Sequence, residues 1–183
     1  MFSWTGLLFV LCGALTPALC CDWLSHYRRL SNASQTLVLV MGGELTKDRS
    51  PVSFPYKLYE SMYKAEVESQ LVFIRDSLEL ISDLYHHDNR SSANWDTDKS
   101  EELLMNVHRQ TEELSGCVST NRRADSKLGK YYRRLKRSTL SRTGGSTASW
   151  ELIRKATKLH LEQLDLLVVF MNRRRSTSTQ RQH

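Results

Sequence analysis

The last two thirds of the chain contain no proline, since the final one is Pro55, and proline is the residue that most strongly interrupts helices. Over the same stretch, apolar residues return every three or four positions, which is the spacing of a buried helix face. The alternating pattern of a half-buried strand does not appear at useful length. The sequence therefore predicts an all-α fold in which amphipathic helices pack as a bundle.

Five helical segments follow from this periodicity, and each carries an apolar stripe for the bundle interior. They cover residues 22–41, 65–86, 97–118, 125–140 and 148–172. The first ends at Gly42-Gly43, a common helix stop, and a long first loop with Pro51 and Pro55 follows it. The last segment shows the least polar surface, so we expect it to be the most buried helix. Residues 173–183 are predicted to form a disordered basic tail.

Residues 1–20 have the features of a secretory signal peptide, with an apolar core that ends near the small residue Ala18. A membrane anchor is the alternative, but the apolar stretch is too short to span about 30 Å of hydrocarbon comfortably. We expect cleavage after Cys20, which leaves a single helical domain over residues 21–172. The protein is therefore predicted to be secreted and not inserted in a membrane.

Cleavage would leave Cys21 and Cys117 as the two cysteines of an extracellular protein, and we expect them to form a disulfide. Closing a loop of about 95 residues would remove roughly 4 to 5 kcal/mol of entropy from the unfolded chain. Two free thiols are the alternative. Asn32 and Asn89 each begin a glycosylation sequon, and Asn89, in a polar stretch, is the better candidate.

Basic residues give the chain a net charge of +6 and concentrate in residues 122–142 and 173–175. Outside the cell, such patches suggest acidic receptor surfaces or sulfated glycans as partners, with a solvated helix face as the alternative. Nucleic acid is not an expected partner of an exported protein.

Catalytic, cofactor and metal sites are not predicted. His86-His87-Asp88 resembles a ligand set, but neighbouring side chains on a helix diverge by about 100 degrees, so one metal rarely binds both histidines. The sequence has no glycine-rich phosphate loop, nucleophile elbow or paired-cysteine zinc spacing. We therefore do not expect an enzyme.

Four motifs, in a fixed order along the chain, resemble one known family. They are the pair Cys21 and Cys117, the loop residues Lys47-Asp48-Arg49 with Phe54-Pro55, the segment Ser91-Ser92-Ala93-Asn94-Trp95-Asp96, and Ala148-Ser149-Trp150-Glu151-Leu152-Ile153-Arg154. Over essentially the whole mature chain they resemble the type I interferons, specifically the two-cysteine group found in fish. Leu45 and Ala148 occupy the positions where four-cysteine interferons carry a second disulfide, which implies a less tethered first loop.

The resemblance implies an up-up-down-down helical cytokine bundle and a function in receptor assembly. Such a protein would be a monomeric antiviral cytokine that bridges two class II cytokine receptor chains and activates their kinases. One chain would bind the first loop and the last helix, where Arg49 and Arg154 occupy matched motif positions. Lys155 and Lys158 are inferred from lying one residue and one helical turn further on. The second chain would bind the face built from the second, third and fourth helices.

Alternatives from other classes remain open at this stage. A secreted carrier of an apolar ligand would need a cavity among small residues, whereas the last helix carries closely spaced large aliphatic residues. A cationic membrane-active protein would use the basic segments, but the rest of the chain is too long and too regularly patterned for that role alone. Another helical cytokine is the nearest competitor.

Overall fold

The computed structural model describes residues 23–88, 90–118 and 125–180. In chain order the elements are α1 (Trp23–Val40), α2 (Tyr56–Met62), α3 (Val67–Tyr85), a 3₁₀ turn (Arg90–Ala93), α4 (Thr97–Ser115), α5 (Ser126–Lys136), a π-helical turn (Arg137–Ser141) and α6 (Thr147–Gln180). Every regular element in these ranges is helical, which confirms the predicted all-α class. The predicted signal peptide, Cys21 and Asn89 lie outside the described residues.

Four long helices form the bundle, with neighbour order α1, α4, α3 and α6 around its axis. Helices α1 and α3 each contact α4 and α6, and α5 packs against α3. The long connections between α1 and α3 and between α4 and α6, the second of which contains α5, are those of an up-up-down-down cytokine bundle. The first of these connections brings residues 41–55 against the flank of α6.

Helix α2 is an element that the periodicity did not predict, so the described part of the chain contains six α-helices rather than five. It spans seven residues after Pro55, and no side chain caps its first turn. A helix this short is not stable by itself and shows too few turns to display a period. Its stability comes from packing, because Tyr59 is buried in the core.

The last helix continues to Gln180. Residues 173–180 are therefore helical, whereas the sequence predicts a disordered tail there. Neither glycine nor proline occurs after Asn172, and the helix therefore meets no residue that would end it. The expectation that the last helix is the most buried is also wrong. Helix α3 buries 11 of its 19 residues, whereas Leu166 and Val169 of α6 are 51% and 37% exposed.

The segment predicted as the fourth helix changes geometry at Arg137, where α5 gives way to the π-helical turn. In this turn the Thr139 hydroxyl donates to the Leu135 carbonyl at 2.6 Å. Hydroxyl groups that bond back to the preceding turn compete with the backbone ladder and bend helices. The apolar residues of α5 still face the core, where Leu128, Tyr132 and Leu135 are buried.

Candidate functional site

The first long loop is held against α6 by one arginine, Arg154, whose side chain is 0% exposed. Its Nη2 donates to the carbonyls of Gly43 at 2.6 Å and Glu44 at 3.1 Å, where the loop begins. Its Nη1 donates to the carbonyls of Val38 and Leu39 at the end of α1, both at 3.3 Å. The guanidinium therefore satisfies carbonyls that a helix end leaves without intrahelical partners.

A carboxylate balances the charge of this buried arginine. Oε2 of Glu151 accepts from Arg154 Nε at 3.0 Å and from its Nη2 at 2.7 Å. The other carboxylate oxygen accepts from the indole N–H of Trp95 at 2.7 Å. Trp95 lies edge-on to the fully buried Trp150, with ring centroids 5.6 Å apart. One ion pair thus joins α1, the first loop, the segment before α4 and the start of α6.

Gly42 lies where these groups approach the main chain closely. A Cβ added there would lie 3.0 Å from Cδ1 of Trp95 and 3.1 Å from Cζ of Arg154. At neighbouring Gly43, a Cβ would meet nothing within 4 Å. A side chain at residue 42 would therefore force the arginine or Trp95 to shift by a few tenths of an ångström.

The outer surface of this junction, which we call the loop–helix face, consists of Lys47, Asp48 and Arg49 of the loop with Lys155 and Lys158 of α6. Lys155 Nζ donates to the Asp48 carbonyl at 2.8 Å, which fixes the middle of the loop. Arg49 follows directly and is exposed. Lys158, one turn after Lys155, forms an ion pair with Glu162. The loop is thus held at both its start and its middle.

Beneath the end of the loop lies an aromatic cluster centred on His160, which is fully buried. The Tyr59 hydroxyl oxygen lies 2.6 Å from Nδ1 of His160, and the Phe54 ring centroid is 4.6 Å from the imidazole. Tyr132 stacks on its other side at 4.8 Å. Burial in this apolar surrounding penalises the imidazolium and lowers the pKa of His160 to about 3. The histidine is therefore a neutral structural residue at physiological pH.

The structure separates the four cations predicted to bind a receptor. Arg49, Lys155 and Lys158 lie on the surface of the loop–helix face. Arg154 does not, and its prediction as a receptor contact is corrected here. Its guanidinium is buried and all its neighbours are protein acceptors, so it positions the loop instead of presenting a charge to a partner.

The remaining predicted sites are only partly within the described residues. Asn32 is exposed on α1, and glycosylation there stays a prediction, as it does for Asn89. Cys117 is disulfide-bonded and buried. Because Cys21 is not described, its pairing with Cys117 also stays a prediction. Within the described ranges, no group of three or more histidine, cysteine or acidic residues could hold a metal ion.

Sequence reasoning missed the residues that build the site from within. The acceptor Glu151 appeared only as part of a motif, although its spacing of three from Arg154 places both on one helix face. His160 gave no signal, since a histidine on an apolar stripe is an ordinary core residue. Leu39 and Val40, about half exposed at the end of α1, could have been found because the helical period places them off the buried stripe of α1.

Comparison with known proteins gives concordant results. A family model described as the interferon alpha/beta domain matches residues 24–169. Interferon a3 of Oncorhynchus mykiss is 35% identical over 172 residues, which cover 93% of this chain and 98% of that protein. Interferon omega-1 of Bos taurus is 31% identical over 118 residues, 59% of each chain. The solved structure of zebrafish interferon 1 superposes with a TM-score of 0.74 at 30% identity, covering 82% of this chain and 99% of that one.

Proposed function

Because this chain belongs to the interferon alpha/beta family, whose members are cytokines and not enzymes, we propose that it is a secreted antiviral cytokine. It would bridge two class II cytokine receptor chains and so bring their associated kinases together. Family membership also argues against the three alternatives, which were an apolar-ligand carrier, a membrane-active protein and an unrelated helical cytokine.

The rigidity of the loop–helix face is the observation that supports this proposal. Tight binding needs a few anchor residues that are already ordered before the partner arrives, since ordering them on binding reduces affinity. Arg154 orders the start of the loop and Lys155 its middle, so Arg49 projects from a fixed main chain. An arginine in that position can make a bidentate contact with a receptor carboxylate. We propose Arg49 as the main anchor, with Lys155 and Lys158 at the rim.

Apolar surface at the end of α1 completes the proposed contact. Leu39 and Val40, at the end of α1, are 45% and 49% exposed. The Leu39 carbonyl is one of the groups held by Arg154, so this apolar pair is fixed by the same contact as the loop. Charged residues around an apolar centre are the usual composition of a receptor interface. The second receptor chain would bind the opposite face, formed by α3, α4 and α5.

Secretion and the disulfide between Cys21 and Cys117 belong to the same proposal. Family relatives are secreted cytokines, and residues 1–20 have the sequence of a leader. In the part of the chain that the structure describes, no helix combines the length and apolarity needed to cross a bilayer. The proposed working form is a monomer, because one molecule has to contact two different receptor chains through two different faces.

The experiment that tests the first receptor face is an Arg49→Ala substitution with Arg28→Ala as the matched control. Both arginines are exposed, and Arg28 lies on α1 in its N-terminal half. The measurements are affinity for immobilised receptor ectodomains and phosphorylation of kinase-linked transcription factors in responsive cells. We expect Arg49→Ala to weaken binding by about 30-fold, the size of a 2 kcal/mol hot spot, and Arg28→Ala to have no effect.

The outcomes distinguish the proposed cytokine function from the proposed location of the first receptor face. Equal signalling by both variants would retain the cytokine function and place the anchor elsewhere. Absence of signalling by folded wild-type protein on receptor-bearing cells would contradict the proposed function itself. Arg154→Ala is unsuitable for this test, since a buried arginine changes stability and binding together.

A further inference from the structure

Helix α5 and the π-helical turn carry six cations, Lys127, Lys130, Arg133, Arg134, Lys136 and Arg137, which we call the basic face. All are exposed except Lys136, which is half-buried. Among the residues that the structure describes, none of the six forms an ion pair. Other helices do pair their cations, as Arg109 does with Glu113 and Lys158 with Glu162.

The geometry of the basic face concentrates the charge. Lys127, Lys130, Arg134 and Arg137 follow one another at spacings of three, four and three, so they form one stripe about 15 Å long. Beside it lies an open depression of about 530 Å³, lined by Lys130, Arg133, Arg134, Lys136, Arg137 and Ser141. None of the described residues that line it carries a carboxylate. Asp83 of α3 lines a separate, smaller hollow of about 280 Å³ on the other side of Arg133.

This arrangement is rigid and unfavourable for the isolated protein. Leu128, Tyr131, Tyr132 and Leu135 are buried and hold α5 to the core, so the cations cannot separate by moving the helix. Like charges at spacings of three and four destabilise a helix by about 0.2 to 0.5 kcal/mol per pair. An anionic ligand that spans several of these positions would relieve the repulsion.

We propose that the basic face binds sulfated glycan chains. A flexible polyanion can follow a 15 Å stripe and place several oxyanions against it, and arginine forks suit such oxyanions. An anionic membrane fits less well, because interfacial helices insert apolar side chains next to their cations and those of α5 are buried. Single-stranded nucleic acid fits less well too, since the tyrosines that would stack on bases are in the core.

The test is heparin affinity of the purified, full-length secreted protein as a function of NaCl concentration. The variant Lys130→Gln, Arg134→Gln, Arg137→Gln removes three charges from the stripe. The matched control Arg28→Gln, Arg29→Gln, Lys57→Gln removes three exposed charges from α1 and α2. Glutamine keeps a similar helix propensity, and circular dichroism would confirm that both variants fold.

We expect the slope of log affinity against log salt to fall by about 2 in the basic-face variant, taking about 0.7 per lost contact as for single-stranded polyanions. The control should keep the wild-type slope. Equal loss in both variants would mean that net charge alone is responsible and would overturn the proposal. Two further results would also overturn it: equal binding of desulfated heparin, or tighter binding to phosphatidylserine vesicles with the same dependence on the stripe. No receptor is present, so failure here leaves the proposed cytokine function untouched.

Discussion

The loop–helix face and the basic face both present cations, but the two regions differ in whether those cations have acceptors within the protein. Beneath the loop–helix face, the buried Arg154 donates to main-chain carbonyls and to Glu151, and on the face itself Lys155 donates to the Asp48 carbonyl. On the basic face, the described part of the chain offers no acid that pairs with any of the six cations. Arg154 and Lys155 thus build structure, whereas Arg49 and the six cations of the basic face are left for partners.

This difference shows that the sequence position of a cation does not reveal its role. Arg154 and Arg134 both lie on amphipathic helices among apolar residues. The two arginines differ in their surroundings. Carbonyls at the end of α1 and at the start of the loop, which lack helical partners, lie within hydrogen-bond distance of Arg154. The comparison can therefore be tested by removing one cation at a time from each region.

The largest effect is expected from Arg154→Ala compared with Arg134→Ala. Removing Arg154 takes this donor from Oε2 of Glu151 and from the carbonyls of Val38, Leu39, Gly43 and Glu44, and breaking a buried ion pair costs about 3 to 5 kcal/mol. Arg134→Ala is a surface change and should alter stability by less than about 0.5 kcal/mol. Urea denaturation of both variants measures the two values. Comparable stability of the two variants would contradict the structural role assigned to Arg154.

Most of the fold could be predicted from sequence, because long amphipathic helices display their period over several turns. The start of α4 was predicted at Thr97, where Asp96 caps the helix by accepting from the Lys99 N–H at 3.0 Å. Helix α2 could not be predicted, since seven residues are too few for a period and their stability comes from tertiary contacts. The end of α6 was missed for the opposite reason: a polar composition was taken as disorder although no breaker was present.

The position of the first loop beside the last helix was predicted, but the contacts that hold it there were not. Motif positions placed the first loop beside α6 and identified Arg49 and Arg154. The burial of Arg154 could not be read from the motif, because an arginine followed by Lys155 looks like part of a solvated basic surface. His160 likewise became visible only when Phe54, Tyr59 and Tyr132 surrounded it in space.

The second largest effect concerns pH and the interior of the loop–helix face. His160 has a pKa of about 3 in the folded protein, against about 6.5 when unfolded, because burial disfavours its charged form. The unfolded chain therefore binds the extra proton as pH falls below 6.5, and the folded chain does not. Stability should fall by about 1.4 kcal/mol per pH unit, or about 3 kcal/mol between pH 6.5 and 4.

The variant His160→Gln isolates this contribution, because glutamine does not titrate and its amide can still accept from the Tyr59 hydroxyl. Its stability at neutral pH should drop, but its stability should depend less on pH between 6.5 and 4. Exposed His26→Gln is the control and should keep the wild-type slope. Tyr59, Tyr131 and Tyr132, which face the imidazole, all have raised pKa values and do not titrate in this range. An unchanged slope in His160→Gln would show that other groups dominate acid unfolding.

A smaller effect is expected where the main chain crosses Arg154. Gly42→Ala would place a Cβ against Trp95 and the guanidinium, and such overpacking costs about 1 to 3 kcal/mol. Gly43→Ala meets no neighbour and should be neutral or stabilising, by up to about 1 kcal/mol, because it restricts the unfolded chain. Thermal unfolding of the two variants compares adjacent positions directly. Similar melting temperatures would mean that Arg154 shifts easily, which would weaken its assignment as a fixed support of the loop.

The smallest effect is expected from Lys155→Ala compared with Lys130→Ala. Lys155 holds the Asp48 carbonyl from the surface, so its loss should cost less than about 1 kcal/mol. Lys130 has like-charged neighbours on the stripe, so its removal should cause no loss and should stabilise slightly at low salt. Added NaCl should reduce that gain because it screens the repulsion. If Lys130→Ala were instead as destabilising as Lys155→Ala, Lys130 would be contributing to the stability of the fold. The cations of the basic face would then have a structural role, as Lys155 has on the loop–helix face.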